Sequence, residues 1–340
     1  MLELELMHHW TTATYRTIMY DRPDNISLLT LDLPRSALAH EYLLDGIFSF
    51  TALHLAFENQ TDTLTAEYYL SSAVSIRDRG LQRVAPALQD FHARDGDREP
   101  GEVFAMFWFS VMAGMVTMAL TVVTQRISSN TASPTSPTGK DFISMQVEIA
   151  QLWRGTRAIM DVASTIGSHA SLLAYATNPE GQHGDDEMKL EPEVESRMTQ
   201  LEGIIDKFFQ DSPHHDSNEA KFLQDLYHES ANIMRKGFYK FAADGTLDDL
   251  MGWGPRLGND FASLLKEGAP LALLSTMCYG TLLEQISHKW WAAGAGKSLV
   301  DECSMALAES PEEWHDLICW ARGSVNLPSS PAPSTHVAAG

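Results

Sequence analysis

Residues 103–124 read VFAMFWFSVMAGMVTMALTVVT, a run without one charged side chain. Its length is that of a membrane-crossing helix, since about 20 apolar residues span the hydrocarbon core of a bilayer. A helix enclosed by other helices has the same composition, because it too has no face in water. The flanks separate the two readings. GDREPGE precedes the run, Arg126 follows it, and the chain offers no second segment of comparable purity with which to build a membrane bundle. The run therefore reads as the central helix of a large α-helical domain, and no transmembrane span is expected.

The neighbouring segments agree with that reading. HEYLLDGIFSFTALHLA (His40 to Ala56) places apolar residues at three- and four-residue steps, Thr65 to Leu88 continues as a polar-faced helix, and a further helix is predicted from Asp141 to Ala163. Strand-like alternation bounded by turn dipeptides is scarce. The fold class expected is all-α, a single helical domain over residues 1–327. Two breaks interrupt it. SSNTASPTSPTG (Ser128 to Gly139) and NPEGQHGDDEMKLEP (Asn178 to Pro192) are rich in the residues that cannot recover the entropy of ordering, and both read as loops. LPSSPAPSTHVAAG closes the chain as a tail over 328–340.

The chain has 340 residues, with 24 Lys+Arg against 45 Asp+Glu and a formal net charge of −21. Such a surface repels polyanions, so direct nucleic-acid binding is not expected. Three cysteines, Cys278, Cys303 and Cys319, show no CxxC spacing, which points away from a disulfide framework or a structural zinc site and fits a reducing compartment. MLELELMHHW is acidic where a signal peptide needs a basic start, so the expected location is cytoplasmic.

LELMHHWTTATYRTI, LPRSALAHEYLLDGIFSFTALHLA and, late in the chain, FASLLKEGAPLALLSTMCYGTLLEQISHKWWAAGAGKSLV are patterns of apolar and small residues. Together they resemble the carboxy-terminal regulatory domain of fungal zinc-cluster transcription factors of the sterol uptake control type. The resemblance implies a helical domain that encloses an apolar cavity for a sterol. Those regulators bind DNA through a six-cysteine module with a basic segment, and this sequence contains neither. That departure leaves two function classes: a ligand-sensing or partner-binding regulatory protein, with a nuclear location, or a cavity turned to chemistry.

Chemistry is suggested by Asn259, Ser263 and Glu267. They fit NDxxSxxxE, which resembles the second metal-binding motif of class I terpene cyclases. At about 100° per residue, positions i, i+4 and i+8 drift by only about 40° per step, so three oxygen donors share one helix face. Mg²⁺ takes such donors and bridges to phosphates. The same residues also read as solvated helix positions, with Asn259 as an N-cap. No aspartate-rich first motif is present. Asp185, Asp186, Glu187 and Glu191 lie in a broken loop, and Glu148 or Asp161 are single-residue alternatives. A weaker resemblance to atypical fungal sesquiterpene cyclases of the humulene-forming kind, which rely on a lysine at the diphosphate, makes Lys266 and Lys289 the catalytic candidates. Arg154, Arg157 and Arg322 are the cations suited to diphosphate oxygens. Trp108, Tyr279, Trp290 and Trp291, with Phe104 and Phe107, are the aromatic side chains suited to a cavity wall, where they would stabilise a carbocation or simply pack as core.

Two expectations follow. The leading one is a Mg²⁺-assisted cyclase that converts a prenyl diphosphate, farnesyl diphosphate by preference, to a cyclic sesquiterpene. The alternative is a non-enzymatic regulator that senses a sterol or related lipid and acts through protein partners. The histidines carry little in either: His8, His9, His214 and His215 read as surface or capping residues, and His54 as a hydrogen-bonded core histidine.

Overall fold

A computed structural model describes residues 1–18, 26–93, 99–130, 141–152, 190–211, 217–245 and 247–329. Its first half is built from α1 (Leu2–Thr12), α2 (Leu33–Ala39), α3 (Glu41–Glu58), α4 (Thr63–Ala93) and α5 (Pro100–Asn130). The apolar run forms the body of α5, which packs against α2, α3 and α4. Among the described residues α5 is the one helix long and apolar enough to cross a bilayer, and 78% of its most apolar 18-residue window is buried inside the protein. Its greasy surface is satisfied by other helices, as expected for a core helix hydrophobic all round.

A buried charge ties this half together. Asp45 on α3 is only 1% exposed, and it accepts hydrogen bonds from Arg79 (Nε 2.9 Å, Nη2 2.6 Å) and Arg83 (Nη1 2.8 Å) on α4. Arg79 also reaches Glu3 of α1 at 3.2 Å, so one network joins three helices. A carboxylate so buried is tolerable because it is paired and hydrogen-bonded on both oxygens.

The second half contains α6 (Phe142–Leu152), α7 (Pro192–Gln210), α8 (Asn218–Asp244), α9 (Asp248–Lys266), α10 (Pro270–Leu283), α11 (Ala295–Ala306) and α12 (His315–Ser324). Among the described residues there are thus twelve α-helices and no strand, the all-α class that the periodicity predicts. α9 packs on α6 and α8, and α10 packs on α11. Every residue of α10 from Leu271 to Leu283 is buried. Its crossing with α11 requires glycine: a Cβ on Gly296 would sit 2.5 Å from the Gly280 oxygen and from the Glu284 nitrogen. Buried side chains from Leu6 to Val325 join in one hydrophobic core.

The interruptions differ in detail from the sequence reading. Ser128, Ser129 and Asn130 belong to α5 rather than to a loop, while 131–139 lie outside the described residues. Positions 178–189 and 330–340 also lie outside them, as does the predicted helical stretch beyond Leu152. Pro192 opens α7, where its missing N–H costs no intrahelical bond.

Candidate functional site

The residues that fit NDxxSxxxE fall on the last two turns of α9. Gly258, at φ 73° and ψ −161°, interrupts the helix immediately before them. Ser263 and Glu267 are exposed, as is Lys266, whereas Asn259 is half-buried and its amide oxygen is buried without a hydrogen-bond partner among the described residues. Glu267 lies at the C-cap, beyond the regular helix. One donor inside the protein and two in solvent do not make the lined set of oxygens that a diphosphate-bound Mg²⁺ requires.

Of the cation candidates, Lys266, Lys289 and Arg322 lie among the described residues. Arg154 and Arg157 lie outside the described residues, together with Asp161, Asp185, Asp186, Glu187, His214 and His215. Lys289 is half-buried just ahead of a 3₁₀ turn, Trp290–Ala292. Arg322 is 2% exposed and committed within the protein. Its Nη1 bonds Asp301 Oδ1 at 2.9 Å and also donates to Ser304 Oγ, and its Nε donates to the Pro328 carbonyl at 2.5 Å, so it fastens α12 to α11 and to the following chain. Arg322, a candidate for diphosphate oxygens by sequence, is engaged here in tying these elements together.

The aromatic candidates are buried but in separate neighbourhoods. Trp108 meets Phe107 edge-on along α5. Tyr279 stacks on Trp253 with centroids 4.3 Å apart and planes 8° apart. Trp290 and Trp291 donate their indole N–H groups to the Thr17 hydroxyl (2.9 Å) and carbonyl (3.1 Å). Trp290 and Trp291 thus pack with their polar tips satisfied.

A cleft with about 320 Å³ of empty space opens elsewhere, between α3, α4, α5 and α6. Phe109, Ala113 and Val116 give it an apolar floor, Gly46 keeps one wall low, and Arg77 and Glu148 supply charge. Most of that space is open to solvent: the enclosed part is about 10 Å³, room for roughly one water and far below the range of about 300–1,000 Å³ typical of small-molecule sites. None of the aromatic candidates lines it.

Among the described residues, the sequence gives little warning of one group of three potential metal donors. His54 and Glu58 are four residues apart on the last turns of α3, and His9 reaches them from α1. His9 Nε2 lies 3.3 Å from Glu58 Oε2, His54 Nε2 lies 3.6 Å from Glu58 Oε1, and the two rings approach to 3.2 Å between His9 Nε2 and His54 Nδ1. The buried Thr14 hydroxyl is 3.0 Å from His54 Nδ1. Trp290 stacks on the His54 ring at 4.8 Å and 18°, so the imidazole is held in plane from the far end of the sequence. Burial and the neighbouring His9 push the His54 pKa down to about 4, which keeps the ring neutral near pH 7. His54 is thus a core histidine as expected. His9 is not a surface or capping residue: its imidazole is 18% exposed and engaged by the other two. The i,i+4 spacing of His54 and Glu58 is readable in the sequence, but the approach of His9 from 45 residues away is not.

With this geometry in hand, comparison with known proteins gives a distant and partial likeness. The chain is 28% identical over 148 aligned residues to a Zn(2)-C6 fungal-type transcription factor of Gibberella zeae. The match covers 35% of this chain and 30% of that protein, so the chain corresponds to well under half of the relative's length. No protein-family model matches the sequence. No solved structure matches it either.

Proposed function

We propose that this chain acts as a non-enzymatic regulatory domain of the type associated with Zn(2)-C6 fungal transcription factors. In this reading it binds a small lipid of the sterol class and passes the signal to protein partners, with a nuclear site of action. The observation that carries the reading is the partial likeness to a Zn(2)-C6 factor. The fold is compatible with it, since an all-helical body with one apolar core can part its helices around a lipid. The cleft as it stands holds about one water, so in this reading a sterol enters by opening α3–α6 over the apolar floor of Phe109, Ala113 and Val116. The prenyl diphosphate reading has no comparable support, because the NDxxSxxxE residues differ in burial and Arg322 is internally paired.

The test fuses the chain to a heterologous DNA-binding domain and reads a reporter gene while sterol supply is varied. In parallel, purified protein is titrated with a fluorescent sterol in the presence of a chelator. A reporter that follows sterol supply and a saturable, chelator-insensitive titration are expected. A Phe109→Arg change in the cleft floor should abolish both. Formation of a new hydrocarbon from farnesyl diphosphate and Mg²⁺, or a reporter indifferent to sterol, would overturn the proposal.

A further inference from the structure

His9, His54 and Glu58 place three donor atoms within 4.8 Å of one another, and they come from two helices, α1 and α3. The separations match the needs of a small ion. Ligands bonded at about 2.0–2.1 Å in a tetrahedral arrangement are about 3.3–3.4 Å apart. His9 Nε2 to Glu58 Oε2 is 3.3 Å and His54 Nε2 to Glu58 Oε1 is 3.6 Å, while His9 Nε2 faces His54 Nδ1 at 3.2 Å, so the carboxylate must turn and the His9 ring swing from Nδ1 towards Nε2 of His54 for the three donors to share one ion. We propose that these three residues bind a single divalent transition-metal ion of the zinc type.

The chemistry of the donors selects the class of ion. Two imidazole nitrogens and one carboxylate suit a borderline ion such as Zn²⁺ or Co²⁺, whereas Mg²⁺ and Ca²⁺ want oxygen throughout. The supporting contacts are those a metal-binding histidine needs. Thr14 Oγ1 is placed to accept from Nδ1–H of His54 and leave the lone pair on Nε2, and Trp290 fixes the plane of the ring. Thr14 is itself fully buried, and its carbonyl accepts the Thr17 hydroxyl at 2.7 Å, so the support is rigid. Access is graded: the His54 side chain is 7% exposed, His9 18% and Glu58 45%. An ion could enter past Glu58, with three protein ligands and a fourth position left to water or to a donor from a partner. Bound there, it would clamp α1 to the end of α3, which makes the seating of the first helix responsive to metal. This inference is independent of the lipid reading, and either can fail without the other.

The experiment uses the full chain, freed of metal with a chelator and then titrated with Co²⁺ and Zn²⁺. One equivalent of Co²⁺ should give a visible d–d absorption of low-coordinate N/O type that Zn²⁺ displaces, and Zn²⁺ should raise the Tm. His9→Gln and Glu58→Gln, at the two more accessible positions, should each weaken Zn²⁺ binding at least about tenfold and abolish the Tm rise while leaving the circular dichroism unchanged. His8→Gln, next door and exposed, should bind as the parent does, and Mg²⁺ should produce none of these effects. Absence of saturable one-to-one uptake by the parent overturns the proposal. So does uptake that survives both Gln changes, or uptake that is lost with His8.

Discussion

Replacing Gly296 by alanine tests the closest backbone contact in the fold. A Cβ there would lie 2.5 Å from both the Gly280 oxygen and the Glu284 nitrogen, whereas ordinary Cβ contacts begin near 3.4 Å, so α11 must move away from α10 by about 0.9 Å, the difference of these two values. The obstructing atoms are backbone, and no rotamer change relieves them. Opening such a gap forfeits roughly a quarter to a half of each dispersion contact of about 0.1–0.2 kcal/mol, which over roughly 50 atom pairs gives about 1–5 kcal/mol. Alanine returns up to about 1 kcal/mol through its higher helix propensity. The net expectation is a loss of about 1–3 kcal/mol, the range typical of overpacked cores and the middle of that span. Urea unfolding followed by circular dichroism should show a lower midpoint at unchanged slope. Gly203→Ala is the control, because a Cβ on that α7 residue meets nothing within 4 Å; it should stabilise by up to about 1 kcal/mol. If Gly296→Ala behaves like Gly203→Ala, the close approach of α10 and α11 is refuted.

Three other perturbations probe different forces. Asp45→Ala leaves Arg79 and Arg83 without their buried partner; both arginines are 39% exposed and can rehydrate, so a loss near the lower bound of the usual range for broken buried pairs, about 3 kcal/mol, is expected in urea unfolding, and a loss under about 1 kcal/mol would contradict the network. Glu302 accepts the Ile143 N–H at 3.1 Å, and burial raises its pKa, so its favourable contribution is complete below the unfolded carboxylate value of about 4.3 and is lost as pH rises through the folded one. Glu302→Gln should therefore flatten the fall in Tm between mildly acidic and neutral pH, and an unchanged pH profile would count against the buried carboxylate. Ser217→Ala removes the side-chain acceptor for the Ala220 N–H at the start of α8 and should cost about 1 kcal/mol by the same unfolding assay, with Ser217→Asp close to the parent.

Periodicity within one helix was legible from the residues; the meeting of two helices was not. HEYLLDGIFSFTALHLA predicts a helix from His40 to Ala56, and α3 runs from Glu41 to Glu58, because apolar side chains at three- and four-residue steps report which face is covered. The same signal cannot say what covers it. Asp45 looks like any early-helix acid until α4 brings two arginines against it, and nothing in AGAGKS distinguishes Gly296 from Gly294 until α10 lies against the former. α5 shows the limit most plainly: a helix apolar on all sides has no moment to read, so the run itself suits lipid and protein equally well, and the reading rests on its flanks and on the helices around it. The candidate site divides along the same line. Spacing correctly groups His54 with Glu58, one turn apart on α3, but spacing also groups Asn259, Ser263 and Glu267, which the break at Gly258 and the helix end at Glu267 then treat differently. The features that distinguish the two groups are a third side chain from α1 and a tryptophan 236 positions after His54, stacked on its ring. Neither has any periodic relation to α3. A ligand set drawn from several helices is therefore invisible to a one-helix rule, and a single-helix motif without such crossing support is the weaker candidate for a metal site.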